Sequence, residues 1–271
     1  MAAASGRSPA SSKPPDRCAV TRQLFVLTGA SRGMGAAMAE QLLAADHHLL
    51  CIARHRNDAL AAKAQAAAAP CEQWALDLAQ PVEAAARLQN WIGSLDAAAY
   101  AGATLINNAA ALTRIGPIDD CLDAELSAAL RVGLEAPLLL TAAFLRATRG
   151  WAVPKRVLNI SSGLGRRAMA GQASYCAAKA GMDHLTRALA LDEAQRPFGA
   201  KVVSLAPGVI DTDMQVALRA GDPAGFPEQA HFFSLKDKGQ LTPPADAAAR
   251  VLAFLRRSDF GMNPVADVRD A

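Results

Sequence analysis

The sequence lacks several features that mark particular classes of protein. It has 5 cysteines among 271 residues, an odd number, and no two of them form a Cys-x-x-Cys pair. This usage argues against a disulfide framework and is typical of a protein of the reducing cytoplasm. The 5 histidines show no metal-ligand spacing such as His-Glu-x-x-His. We therefore expect a cytoplasmic protein without a bound metal.

Long apolar runs and concentrated charge are missing as well. No stretch approaches the ~18 consecutive apolar residues of a membrane span, so we expect no membrane partner. The net charge of +3 is accounted for by the first 22 residues, which carry four basic residues against one acidic residue. The rest of the chain is formally neutral. Because phosphate backbones require a concentrated basic face, nucleic acid is not an expected partner.

The chain divides into a short tail and one domain. Residues 1–22 are rich in Ala, Ser and Pro, which predicts a disordered N-terminal tail. Its prolines interrupt any amphipathic helix, so a targeting peptide is disfavoured. Residues 23–271 show no internal repeat and no linker, which indicates a single domain of ordinary size.

Within the domain, short apolar runs alternate with longer helical patterns. This alternation predicts an α/β fold with a doubly wound parallel sheet, in which ligands bind beyond the carboxyl ends of the strands. We expect strands at 24–29, 48–54, 72–78, 103–110, 155–162 and 201–208. We expect helices at 34–45, 58–69, 82–95, 123–149 and 174–195, and a last helix within 242–257.

The first strand is followed by the glycine-rich sequence TGASRGMG. Gly29, Gly33 and Gly35 would let the backbone approach a pyrophosphate at the N-terminus of the next helix, although such a run is also found in simple tight turns. Arg54 follows the second strand, where a site for NAD would usually have an acidic residue. Together with Arg32 it could bind a 2′-phosphate, which favours NADP(H) over NAD(H). The alternative is two solvated arginines.

Polar residues end three other strands. Asp77, followed by Leu78, could accept a hydrogen bond from an adenine amino group or could cap a helix. Asn107 and Asn108 could brace the loop beside a cofactor, since buried amides need partners. The turn at Pro207 and Gly208 is followed by Thr212, which offers a hydroxyl group.

The sequence SYCAAKAG places Tyr175 and Lys179 four positions apart, on one face of a helix. Ser162 precedes the tyrosine by 13 positions, and the intervening Gly-rich loop could return its hydroxyl to the phenol. A nearby ammonium favours the ionised phenol, so Lys179 is expected to lower the pKa of Tyr175 toward a useful range for proton transfer.

These motifs, in this order, resemble the short-chain dehydrogenase/reductase family from Leu24 to Met214. The resemblance implies a Rossmann-like sheet that binds NAD(P)(H) and hydride transfer between nicotinamide and a carbonyl or secondary alcohol. It makes Tyr175 the general acid/base, Ser162 the hydrogen-bond donor to the carbonyl oxygen, and Lys179 the ribose ligand. The expected cofactor contacts are Gly29, Ser31, Arg32, Gly33, Met34, Gly35, Arg54, Asp77, Leu78, Asn108, Ala109, Tyr175, Lys179, Pro207, Gly208, Ile210 and Thr212.

The chain departs from the family pattern at two places. Gly133 stands where the family often has an Asn that is thought to hold a water in a proton relay, which puts that relay in question. The C-terminus lacks the usual TG…DGG strand and is more similar to sepiapterin-reductase-like and benzil-reductase-like branches. The resemblance implies a homodimer or homotetramer, and this ending favours the dimer.

The segment 213–241 is expected to cover the substrate. Its apolar side chains, Met214, Val216, Leu218, Phe226, Phe232 and Phe233, would suit a mobile lid over a hydrophobic carbonyl compound, or a plain surface connection. Arg166 and Arg167 could contact a polar substrate edge or stay solvated. Two functions compete: an NADPH-dependent carbonyl reductase acting on a small molecule, and a non-catalytic NADP(H)-binding redox sensor. The serine, tyrosine and lysine set favours the enzyme.

Overall fold

The computed structural model of the chain describes residues 21–270, which form one seven-stranded parallel sheet. The strands lie in the order β3-β2-β1-β4-β5-β6-β7, and every pair is parallel. Their bounds are β1 Arg22–Thr28, β2 His47–Ala53, β3 Cys71–Ala75, β4 Tyr100–Asn107, β5 Lys155–Ile160, β6 Lys201–Ala206 and β7 Val265–Asp267. The predicted doubly wound parallel sheet is confirmed.

Helices cover both faces of the sheet. Their bounds are α1 Gly33–Gln41, α2 Asp58–Ala66, α3 Pro81–Gly93, α4 Asp123–Leu130, α5 Ala136–Ala147, α6 Ala173–Ala194, α7 Asp213–Arg219, α8 Gln229–Asp237 and α9 Pro244–Arg256. One apolar core lies between the sheet and α3 and α5, with Leu189 of α6 packed against it. A second lies between the sheet and α1, α2 and α9. Burial on both faces explains why the strands are continuous apolar runs.

The strand order reverses between β1 and β4, which pair with each other. The next strand on the far side of β1 is β2, and the next strand on the far side of β4 is β5. At such a switch point the loops after the strands diverge and leave a crevice for a ligand. The predicted glycine loop and the Asn107–Asn108 pair follow these two strands, so the fold brings them to the same crevice.

The predicted boundary between tail and domain lies close to the start of the sheet. Strand β1 begins at Arg22, the last residue assigned to the tail. Residues 1–20, which hold the rest of the predicted disordered tail, and residue 271 lie outside the described residues.

Three elements were not predicted from the sequence. Strand β7 has only three residues and pairs with β6 in the part of the chain where the usual C-terminal motif is missing. Helices α7 and α8 lie within the predicted lid, for which no helix was predicted. Such short elements carry too few residues to show a clear hydrophobic period.

The helix across 123–147 is continuous, with a π-helical turn at Arg131–Glu135 between α4 and α5. By length and composition it is apolar enough to cross a membrane, with a mean hydropathy of 1.6 over 18 residues, and it is the one such helix among residues 21–270. Half of that window is buried inside the fold, where α5 supplies residues of the core it shares with α3. This is the position of a core helix.

The glycine loop packs against the backbone too closely for side chains at two positions. Gly29 has φ +72°, and a Cβ there would lie 2.9 Å from Cα of Ala109. A Cβ on Gly35 would overlap the carbonyl oxygen of Gly29 and lie 2.6 Å from Nδ2 of Asn108. The first turn of α1 can therefore approach the loop after β4 only with glycine at these positions.

We predict that replacement of glycine by alanine has opposite effects on stability at two helical positions. Gly35→Ala inserts a methyl group against fixed backbone and should lower the free energy of unfolding by about 1–3 kcal/mol. Gly93→Ala is the control, because this exposed residue ends α3 with open space around it. This substitution should raise the free energy of unfolding by about 0.5–1 kcal/mol. Urea unfolding of both variants measures the difference, and equal effects would contradict the packing described.

Candidate active site

The carboxyl end of β5 meets the first turns of α6. Lys179 lies on α6 and is 2% exposed, and its Nζ donates a hydrogen bond of 2.7 Å to the carbonyl oxygen of Ile160, the last residue of β5. The same Nζ lies 5.5 Å from the centre of the partly buried Tyr175 ring. The predicted tyrosine–lysine pair therefore shares one helix face, directly beside a strand end.

Ser162 follows β5 and begins a single 3₁₀ turn at Gly163–Gly165. Its Oγ accepts a hydrogen bond of 3.1 Å from the backbone N–H of Leu164. The oxygen is thus used as an acceptor, and the hydroxyl hydrogen can donate to another group. The loop comes back against α6, because a Cβ on Gly165 would lie 3.0 Å from the carbonyl oxygen of Lys179.

Burial dominates the proton affinities of the pair. It raises the pKa of Tyr175 to about 12, against an opposing interaction with the Ser162 hydroxyl. In the chain alone the predicted lowering of this pKa is therefore not seen, since the loss of solvation outweighs the interaction with the Ser162 hydroxyl. Burial also lowers the pKa of Lys179 to about 8, and Asp183 opposes that shift. At neutral pH the phenol is protonated and the lysine is mostly an ammonium.

The glycine loop leads into the N-terminus of α1, where a dinucleotide pyrophosphate is expected to bind. Arg32 is the N-cap residue of α1, and its side chain does not cap the helix. The first backbone N–H groups of α1 are therefore available to an anion, and the helix dipole favours one there. Asn108 holds the loop in place, with Nδ2 donating to the carbonyl oxygens of Thr28 at 3.0 Å and Gly29 at 3.2 Å. These residues fit the expected cofactor.

The residues expected around the adenosine part lie at three neighbouring strand ends. Arg54 is exposed after β2. Asp77 is exposed after β3, where its Oδ1 accepts a hydrogen bond of 3.0 Å from the N–H of Ala79, and the next residue, Leu78, is buried. Arg32 is exposed but paired, since its Nη1 lies 2.8 Å from Oδ2 of Asp213 on α7. A phosphate at this position would compete with Asp213.

The segment after β6 lies across the crevice from the glycine loop. Gly208 has φ +84°, which the turn after Pro207 requires. Ile210 forms a parallel bridge with Thr242, which fixes the backbone of this segment. Thr212 is the N-cap residue of α7, and its Cγ2 would lie 3.4 Å from a Cβ on Gly33. The two predicted cofactor segments therefore face each other.

A small apolar cluster joins the predicted lid to the loops after β4 and β5 and to α6. Its buried members are Ile115, Met169, Leu218, Phe226 and Phe232, with Leu112, Leu164, Cys176, Met214 and Leu235 packed against them. Cys176 directly follows Tyr175, so this apolar cluster reaches the turn of α6 that carries the tyrosine. Two of the predicted lid residues do not take part, because Val216 and Phe233 are 57% and 46% exposed.

Arg166 takes part in an unexpected set of contacts. Its Nε lies 3.4 Å from Oδ2 of Asp183, and its Nη2 donates to the carbonyl oxygen of Ala266 in β7 at 2.7 Å. Neither of the two expected roles, substrate contact or free solvation, matches this arrangement: Arg166 is exposed, as its neighbour Arg167 is, but these contacts hold its side chain. Arg166 joins the loop after β5 to the last strand.

Gly133 is buried in the π-helical turn, where the family often has an asparagine. A Cβ at this position would lie 3.1 Å from Cβ of Ala178, the residue before Lys179. A side chain at 133 would have to displace α6 slightly. The absence of the asparagine therefore coincides with a close approach of the two helices next to the lysine.

A buried polar cluster that was not predicted from the sequence lies behind the site. Asp183 of α6 is 1% exposed, and its Oδ1 accepts hydrogen bonds of 2.6 Å from the hydroxyls of Ser161 and Ser204. One feature of the sequence indicates this cluster: Asp183 lies four positions after Lys179, and residues at this spacing share one face of a helix. The two serine partners come from different strands, and no local pattern connects them.

We predict that Tyr175 ionises only at high pH in the free protein. The chain has two tyrosines, so Tyr100→Phe leaves Tyr175 as the only one. Ultraviolet titration of this variant should show tyrosinate forming well above the ordinary phenol value of about 10, because burial raises the pKa to about 12. A midpoint below that ordinary value would contradict the described burial.

Comparison with known proteins places the chain in a family. A profile of the short chain dehydrogenase family matches residues 23–223. The chain is 32% identical to a benzil reductase ((S)-benzoin forming) of Bacillus cereus, covering 89% of this chain and 96% of the relative. It is 30% identical to the sepiapterin reductase of Xenopus tropicalis, over 88% of this chain and 92% of that relative. A metagenomic short-chain oxidoreductase solved in complex with NADP superposes with a TM-score of 0.67 at 27% identity, over 92% of this chain and 96% of that structure. The chain belongs to the short-chain dehydrogenase/reductase family of oxidoreductases.

Proposed function

We propose that this oxidoreductase uses NADP(H) to reduce the carbonyl group of a small hydrophobic molecule, and that it also catalyses the reverse oxidation of the alcohol. The observation that supports this most directly is the grouping of Ser162, Tyr175 and Lys179 at the end of β5, beside the crevice that the glycine loop forms. The apolar lid cluster next to Tyr175 supports a hydrophobic substrate.

In the proposed reduction, the protein handles the proton and the developing negative charge. A bound nicotinamide dinucleotide supplies the hydride. Ser162 donates a hydrogen bond to the carbonyl oxygen, and Tyr175 transfers its phenolic proton to that oxygen as charge develops on it. Lys179, an ammonium at neutral pH, stabilises the resulting tyrosinate. The raised pKa of Tyr175 keeps the phenol protonated and ready to donate.

The preference for NADP(H) rests on Arg32 and Arg54. Both side chains lie at the surface at the two loops that would surround the adenosine ribose, and no acidic residue follows β2 directly. A guanidinium pairs with a phosphate in a bidentate geometry, whereas it offers little to a free 2′-hydroxyl. Breaking the exposed pair between Arg32 and Asp213 would cost little, since such surface pairs contribute about 0–1 kcal/mol.

The benzil reductases among the relatives suggest a substrate class. Their name describes reduction of an aromatic vicinal diketone to a hydroxy ketone. The partly buried side chains at the edge of the lid cluster, such as Leu164 and Met214, would offer an apolar surface to such a substrate, above the buried Phe226 and Phe232, which stack with ring centres 5.6 Å apart. We therefore propose aromatic or other hydrophobic ketones and vicinal diketones as the substrates to test first.

The alternative is a non-catalytic NADP(H)-binding redox sensor. Gly133 favours it, because the residue often linked to the proton relay is missing. The complete serine, tyrosine and lysine set favours the enzyme. Assembly as a homodimer or homotetramer and location in the cytoplasm stay predictions.

We predict that Tyr175→Phe abolishes most carbonyl reduction while NADPH still binds. Loss of a general acid should lower kcat by about 10²- to 10⁴-fold. NADPH oxidation with aromatic ketones and diketones measures the effect, and Tyr100→Phe, which removes the other tyrosine far from the site, is the control. Full activity in Tyr175→Phe would rule out the proposed mechanism, and a wild-type protein that binds NADPH without reducing any carbonyl would support the sensor.

We also predict that Arg54→Ala weakens the binding of NADPH but not the binding of NADH. Losing a charged hydrogen bond of about 1.5–3 kcal/mol should raise the Kd for NADPH roughly 10- to 100-fold. The Kd for NADH, which has no 2′-phosphate, should hardly change. Arg256→Ala, an exposed arginine at the end of α9, is the control. An equal loss for both dinucleotides would contradict the proposed phosphate contact.

A further inference from the structure

Three residues of α6 meet the end of β5 at intervals of four. Tyr175, Lys179 and Asp183 share one face of the helix. The strand end opposite them consists of Ile160 and the two serines that follow it. Lys179 contacts the carbonyl oxygen of Ile160 at 2.7 Å, and Asp183 accepts from the Ser161 hydroxyl at 2.6 Å. The segment that carries Ser162 is thus attached to α6 at two points next to the serine itself.

Asp183 is an unusual residue for its position. It is 1% exposed, and its Oδ1 also accepts from the Ser204 hydroxyl of β6 at 2.6 Å. A buried carboxylate is costly unless hydrogen bonds satisfy it, and short bonds to an ionised acceptor are among the strong ones. An apolar residue would fill the space without that cost. The presence of a carboxylate at this position is therefore explained by the groups that it binds, the hydroxyls of Ser161 and Ser204.

The second carboxylate oxygen faces the loop after Ser162. Oδ2 of Asp183 lies 3.4 Å from Nε of Arg166, and a Cβ on Gly165 would lie 2.8 Å from the same oxygen. Arg166 is itself held by the carbonyl oxygen of Ala266 in β7. Ser161, before Ser162, is hydrogen-bonded to this carboxylate, and Arg166, after it, forms an ion pair with Oδ2, which has no hydrogen-bond partner among the described residues.

Asp183 also acts on the lysine electrostatically. Burial lowers the pKa of Lys179 to about 8, and the negative charge of Asp183 raises it. The other groups near the lysine are Tyr175 on the same helix and Arg166 across the carboxylate. Without Asp183, Lys179 would lose its proton at a lower pH.

We propose that Asp183 is a positioning residue of the carbonyl-reduction site. It holds Ser161 and the following loop so that the Ile160 carbonyl and the Ser162 hydroxyl face Lys179 and Tyr175. The proposal rests on the proposed function, and it assigns the orientation of the catalytic serine to a residue that contacts neither substrate nor cofactor.

The two serine partners of Asp183 provide a matched pair of variants. Ser161→Ala and Ser204→Ala each remove one hydrogen bond of 2.6 Å to the same oxygen, but only Ser161 adjoins Ser162. We expect both variants to lose similar thermal stability. We expect kcat to fall only in Ser161→Ala, toward the roughly 100-fold that a misplacement of about 1 Å costs, with little change in the KM for NADPH. Equal kcat values in the two variants would overturn the proposal.

Asp183→Asn separates charge from hydrogen bonding. The amide keeps an oxygen for the two serines and removes the negative charge, so the fall of kcat/KM at alkaline pH should move to lower pH than in the wild type. Asp192→Asn, at an exposed position of the same helix, is the control and should leave the profile in place. An unchanged profile in Asp183→Asn would contradict the electrostatic part of the proposal.

Failure of the proposed function can be told apart from failure of this inference. If the wild type binds NADPH but reduces no carbonyl, the proposed function fails. The inference is then judged on NADPH affinity as a function of pH, because Lys179 is the proposed ribose ligand. Asp183→Asn should shift that dependence to lower pH, and Asp192→Asn should not. Identical dependences in the two variants would reject the inference by itself.

Discussion

The hydrogen bond between Lys179 and the carbonyl oxygen of Ile160 is the contact on which the site depends. It places a charged amine, 2% exposed, at the end of a strand buried on both faces of the sheet. A buried ammonium requires such a partner, and the bond fixes α6 in register with β5. Tyr175 and Asp183, one turn before and one turn after the lysine, then necessarily face the residues that end the strand.

The same burial decides how protons are held. It raises the pKa of Tyr175 and lowers that of Lys179, so around neutral pH the phenol keeps its proton and the amine carries its charge. That combination is suited to donating a proton to a reduced carbonyl oxygen. A low tyrosine pKa in the free protein would suit the opposite direction, in which the phenolate removes a proton from an alcohol. In the proposed function, the protonated phenol of the free protein is the form that donates a proton in reduction.

The sequence predicted the features that lie within short stretches of the chain, and it did not predict the contacts between distant segments. The glycine loop, the Tyr175–Lys179 spacing and the alternation of strands and helices lie within short windows, and the structure contains each of the elements they predicted. The partners of Asp183 come from two strands, so they required the sheet order. The pairing of Arg32 with Asp213 and the raised pKa of Tyr175 depend on packing between distant segments, which no residue pattern records.

The most direct test is the pH dependence of NADPH oxidation by the wild-type protein with a vicinal diketone such as benzil. In the proposed mechanism reduction needs the Lys179 ammonium and a protonated Tyr175. The rate should therefore be high at neutral pH and fall as pH rises through about 8, the pKa of Lys179. A rate that increases through this range, or the absence of any NADPH oxidation while NADPH binds, would contradict the account.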